Sequence, residues 1–350
     1  MATTKNISKY KNAEAQKKTL ADVIEGFMAD VLERFPHLKG RLLIADVNQR
    51  RSYGAEYLDH EAVSLRIDEI PGYLGKKHDP AIGSCASYDS ARSLGVIFID
   101  EHIDEAEFND ISGETEKHIL YVLNHELGHL ILENGRYTKN SSLHIKVIAE
   151  SAADAYAYAL MCHYQHYGVN SACADKTASS INRLTSSIVD DMTHFTTFVL
   201  NELIKRRDLI DFEALTPRQT ADLAGLFATK YAPSAPVIEK LYKVFEPVRE
   251  ASKTNWEEAI KKMVDITLDP TADYYTFSVG GQWLRHYLDG HFKWPNGRDP
   301  KFSEEYLSNV STELKEREFK FAAEDILFNV PTVSEKPTPA RQRRPQPQTA

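Results

Sequence analysis

The sequence predicts an α+β protein, on three observations. Short apolar runs broken by Gly, Pro and Asp fill residues 41–100; two long helical stretches follow; and from residue 176 the pattern stays helical to about residue 318. The expected division is a small mixed sheet with two long helices over 19–175, then a mainly α-helical C-terminal lobe over 176–330. A polar, flexible N-terminus over 1–18 and a disordered tail over 331–350 flank them.

Taken in order, residues 18–35 form an amphipathic pattern that Pro36 ends, because proline lacks an N–H and clashes with the preceding turn. Arg41-Leu-Leu-Ile-Ala-Asp46 reads as a buried strand. Residues 50–93 suit short strands and loops. Leu94-Gly-Val-Ile-Phe-Ile-Asp100 is the clearest strand; its apolar run suits an inner position, and an edge position stays open. A helix is expected from about 115 to 132, stopping at Asn134-Gly135. A second, rich in Ala, Leu, Met and Tyr and free of Pro, covers 146–167. Beyond it, 179–207 reads as one long periodic stretch, and 216–231, 237–252, 256–266, 274–288 and 303–318 as further helices. No internal repeat is evident. The tail is rich in Pro, Gln, Thr and Arg, with no apolar period. Arg341, Arg343 and Arg344 could make it a docking segment, but an inert tail is the default.

A length of 350 residues suits one large or two moderate domains, and 42% hydrophobic residues suffice for an ordinary core. The net charge of −9 leaves no footprint for nucleic acid. No apolar run reaches the roughly 18 residues of a membrane span. The first residues carry lysines but no apolar stretch of a secretory signal. A cytoplasmic location is therefore expected, with export by another route left open. Cys85, Cys162 and Cys173 are widely separated, with no CxxC spacing. They read as reduced thiols that fill the core.

His125-Glu126-Leu127-Gly128-His129 sits inside the first long helical stretch. Histidines at i and i+4 lie one above the other on a helix face. Two imidazoles so placed can share one zinc ion, with the intervening glutamate in reach of a water on the metal. The pattern also arises by chance in a solvated helix, so it needs support. Glu150-Ser-Ala-Ala-Asp154 supplies that support: Glu150 and Asp154 are again i and i+4 on a helical run. Two His and one Glu are a common zinc set that leaves the fourth position open. Asp154 could hold the other ring nitrogen of His125 and fix its tautomer. Glu150 alone could be a surface carboxylate at a helix N-terminus, where the macrodipole favours it. Asp154 argues otherwise, because it lies among alanines and tyrosines that look buried, and a buried Asp needs a partner.

HExxH followed about twenty residues later by ExxxD resembles the gluzincin zinc metallopeptidases. Over residues 94–162 the phrases His-Glu-Leu-Gly-His-Leu130 and Glu150-Ser-Ala-Ala-Asp154-Ala-Tyr156 are most similar to the cytoplasmic ImmA/IrrE-type peptidases. The resemblance implies a zincin-like N-terminal lobe, with His125, His129 and Glu150 as zinc ligands. It implies Glu126 as general base and Asp154 as the partner of a ligand. The GxMEN motif of gluzincin aminopeptidases is absent, and the connection between the two helices is short for ImmA-like proteins. The expected activity is zinc-dependent hydrolysis of a protein or peptide substrate by an endopeptidase, with one Zn2+ per chain.

The oxyanion of such a reaction wants a Tyr or His donor. Tyr137 and His144 between the motif helices are candidates, and so are His286 and His291 from the C-terminal lobe. His163 and His166 point away from the Glu150 face and read as helix-end residues, and His118 as a half-buried residue on the His125 face. The rival class is a non-catalytic zinc protein on a peptidase-like fold. A closed fourth ligand, for example His144 or Cys162, would favour it, whereas the retained Glu126 speaks against it. A peptidase devoted to one partner protein, with the C-terminal lobe serving recognition, is a third possibility.

Overall fold

A computed structural model of the chain describes residues 18–46, 51–54, 85–89, 94–99, 113–132, 141–164, 192–290 and 300–328. It is α+β: mostly helical, with one small sheet. Helix α1 (Leu20–Arg34) starts at a capping box. The Thr19 hydroxyl accepts from the Asp22 amide, and the Asp22 carboxylate accepts from the Thr19 amide. It buries Leu20, Val23, Ile24, Phe27, Met28 and Val31, one stripe at helical spacing, and ends just before Pro36.

Four strands follow: β1 (Leu42–Asp46), β2 (Arg51–Tyr53), β3 (Cys85–Asp89) and β4 (Leu94–Ile99). Their order in the sheet is β2-β1-β4-β3. β1 and β4 run parallel at the centre with Ile44 opposite Ile97; β2 and β3 flank them antiparallel. β4 is thus an inner strand, paired on both sides, and all six of its residues are buried. Its apolar run reflects that, since a strand covered on both faces needs no polar alternation.

The two long helices are α2 (Gly113–Ile131) and α3 (Leu143–His163). α2 lies close on the sheet because Gly95 gives it room: a Cβ there would stand 3.0 Å from Leu130 Cδ1. From Val147 to Cys162, all but one residue of α3 is buried, so the helix is covered on every side, and Glu150, Ser151 and Asp154 are polar residues held within that cover. Asn134-Gly135, the expected stop of α2, lies outside the described residues.

The C-terminal helices are α4 (Thr197–Lys205), α5 (Pro217–Tyr231), α6 (Ala235–Val244), α7 (Glu246–Ser252), α8 (Trp256–Leu268), α9 (Tyr274–Leu288) and α10 (Glu304–Phe328). Two expectations change here. The helix expected over 237–252 is two, parted where Pro247 opens α7. The single stretch expected over 179–207 is interrupted: Met192–His194 is a short 3-10 turn, and α4 begins only at Thr197. The residues there, Thr193-His-Phe-Thr-Thr197, are β-branched or aromatic and among the poorer helix formers.

Buried side chains form two clusters. The first joins α1, the sheet, α2 and α3, and takes in Val199, Leu200, Leu203, Phe212, Ala224 and Phe227, all beyond residue 176. The second fills the space among α6 to α10 around Trp283, and also takes in Val147, Met192 and Phe195. The N-terminal tail and the tail after 328 lie outside the described residues. No helix among those described is long and apolar enough to cross a membrane.

Candidate metal centre

α2 carries His125, Glu126 and His129, and α3 carries Glu150 and Asp154. The two helices meet at Gly128 and Ala153. A Cβ on Gly128 would stand 3.1 Å from Ala153 Cα, 3.2 Å from its carbonyl oxygen and 3.2 Å from Tyr156 Cδ1. Glycine between the histidines is what lets the backbones approach so closely.

At that crossing the ligand atoms of His125, His129 and Glu150 all lie within 4.8 Å of one another, and all three residues are buried. His125 Nε2 and His129 Nε2 are 3.1 Å apart, and the same nitrogens are 3.2 Å and 3.5 Å from Glu150 Oε2. Around a tetrahedral ion with bonds of about 2.0–2.1 Å, neighbouring donors stand roughly 3.4 Å apart. The triangle matches that spacing. The rings are perpendicular, with centroids 4.7 Å apart.

The orientation of His125 is fixed from behind. Its Nδ1 lies 2.7 Å from Asp154 Oδ1, so Nδ1–H donates to the carboxylate and leaves the Nε2 lone pair facing the triangle. Asp154 has no exposed surface; its second oxygen accepts from the Thr196 hydroxyl at 2.5 Å. The Tyr121 hydroxyl reaches the Asp154 carbonyl at 3.4 Å.

Burial by itself would raise the Glu150 carboxyl, but the two imidazoles beside it, His125 and His129, favour its ionised form and hold it well below the usual carboxylate range. An ionised carboxylate thus joins two imidazoles, a donor set that suits a divalent cation. Glu126, one residue past His125 on the same helix, is also buried.

A further imidazole stands at the site. His194 Nε2 is 3.3 Å from Glu150 Oε2, its side chain 31% exposed. It is not one of the three mutually close ligands. His194 comes from the 3-10 turn that interrupts the expected helix, and Met192 and Phe195 on either side of it anchor that turn in the second core. Sequence spacing gave no hint of His194 or Thr196, which lie more than forty residues past Glu150. The poor helix formers around them were the available signal.

The other candidates lie elsewhere. His144 is half-buried in the first turn of α3 and His286 half-buried in the last turn of α9; neither belongs to the ligand triangle. Tyr137, His291 and His166 lie outside the described residues. His163 Nδ1 donates to the Phe212 carbonyl at 2.9 Å, and His118 is half-buried on α2. Cys162 is free and buried, beside a hollow lined by Arg207, Ile210 and Phe212, with burial pushing its thiol up to about 11.

Compared with known proteins, the chain matches no family model, no curated protein and no solved structure.

Proposed function

We propose that the chain is a zinc-dependent metallopeptidase with a zincin-like catalytic half, acting as an endopeptidase on a protein or peptide substrate in the cytoplasm. The observation that carries this reading is the buried His125–His129–Glu150 triangle at tetrahedral spacing, with Glu126 on the same helix. A zinc ion held there would lower the pKa of a coordinated water toward neutrality and polarise a carbonyl oxygen. His125 and His129 offer their Nε2 atoms and Glu150 its Oε2. Asp154 keeps His125 in the tautomer that binds. Glu126 takes the proton of the attacking water and delivers it to the departing amine. His194, 31% exposed beside Glu150, would donate to the oxyanion, the role expected, from the sequence, of Tyr137, His144, His286 or His291. β3, outermost beyond β4 among the described residues, offers an edge to which an extended substrate could add.

Glu126→Gln tests this reading. With zinc supplied, the parent should cleave bonds in a mixture of denatured proteins, read by mass spectrometry, while the Gln variant keeps its zinc and cleaves at least about 100-fold more slowly. Equal cleavage by the two would remove Glu126 from the mechanism.

His194 also supports a second reading, a non-catalytic zinc-binding regulatory or interaction protein. If its Nε2 closed the fourth position, the site would be saturated and structural.

A further inference from the structure

Thr196 stands at the N-cap position of α4 yet makes no capping hydrogen bond with its side chain. A threonine there ordinarily satisfies one of the free amides of the first turn. Its hydroxyl instead crosses to Asp154 Oδ2, 42 residues earlier in the chain. Thr196 is 1% exposed and Asp154 has no exposed surface, so water has little access to that oxygen. The carboxylate is therefore gripped at both oxygens: by His125 Nδ1 on one side and by the Thr196 hydroxyl on the other.

We propose that Thr196 is a positioning residue of the metal centre: it holds Asp154, and Asp154 holds His125. This rests on the metal-binding reading of His125, His129 and Glu150. The segment that carries Thr196 is pinned on both sides. Met192 and Phe195 sit in the second core, and Val199, Leu200 and Leu203 of α4 sit in the first. The grip on Asp154 is thus supplied by the segment that leads into α4. A metal site whose ligands all come from α2 and α3 is completed by a residue that neither helix carries. Without the hydroxyl, the buried Asp154 carboxylate loses that hydrogen bond at Oδ2, can turn more readily, and holds the His125 ring less firmly.

The test is zinc affinity, by competition with a chromophoric chelator, on full-length parent, Thr196→Val, Thr196→Ser, Asp154→Ala and the Thr196→Val/Asp154→Ala double variant. Melting of the zinc-free proteins is recorded alongside. Thr196→Val should bind zinc about tenfold more weakly, the lower end of the effect of removing a partner behind a ligand. Thr196→Ser, which keeps the hydroxyl, should bind as the parent does. In the double variant the Val substitution should add nothing to the loss caused by Asp154→Ala. Parental affinity in Thr196→Val, or a change only in the melting of the zinc-free protein, would overturn the proposal. So would losses that simply add in the double variant. If Thr196→Val does not fold, Thr196→Ala is read the same way; loss of fold in both would make Thr196 a core residue and overturn it too. A parent that binds no zinc would remove the metal centre itself, and the proposal with it.

Discussion

Asp154 and His194 show how single residues divide the work around one carboxylate-and-imidazole cluster. Asp154 is wholly buried, and its contact with His125 was legible in the sequence, because ExxxD spacing on a helix puts it one turn beyond Glu150 on the same face. His194 was not legible. Nothing in the local pattern ties a histidine in a 3-10 turn to a glutamate 44 positions earlier; that contact exists only because two cores clamp the turn. Its role separates the two readings of the site. As an oxyanion donor, His194→Ala should leave zinc affinity within about twofold of the parent and slow cleavage by about 100-fold or more. As a fourth ligand, the same change should weaken zinc severely, and there would be no turnover to lose. Chelator competition and a peptide-cleavage assay on the same preparation decide between them.

Among the elements, the α2–α3 crossing decides whether a site exists at all. Helix periodicity predicted both helices to within a few residues, and the alanines and tyrosines around Asp154 marked that part of α3 as buried. The closeness of the crossing was less evident, since it depends on Gly128 facing Ala153. Gly128→Ala tests it. On an isolated helix, alanine would be favoured over glycine by about 1 kcal/mol. Here its Cβ would press on the backbone of Ala153, which cannot swing aside as a side chain can. The expected result is a net loss of about 1–3 kcal/mol in stability, read by denaturant unfolding, together with weaker zinc binding as the ligand triangle widens. An unchanged or raised stability would mean that the helices are not locked at that point. The interrupted stretch at 192–196 teaches the opposite lesson about legibility. The apolar period runs through it, and period alone predicted one helix. Thr193, Phe195 and Thr196 carry the break, because poor helix formers yield where tertiary contacts such as the Thr196–Asp154 hydrogen bond reward another conformation.

Across the whole molecule, the two cores meet along α3 and the turn before α4. Val147 of α3 packs in the second cluster, while residues 155–162 of the same helix pack in the first. Sequence composition gave the broad α+β order, but not which helices share a core. Phe212, Ala224 and Phe227 belong with the N-terminal elements, since core membership is set by long-range packing that no local pattern records. The candidate metal centre lies at this junction, with candidate ligands from α2 and α3 and with His194 and Thr196 from the segment that leads into α4. The central claim is that this junction is built around a metal ion, and the most direct measurement is metal content. Parent protein and His129→Ala would be made zinc-replete, dialysed and submitted to elemental analysis. The account predicts close to one zinc per chain in the parent, lost in the variant. A parent that retains no zinc would contradict it, and HExxH would then stand as a coincidence of helical spacing.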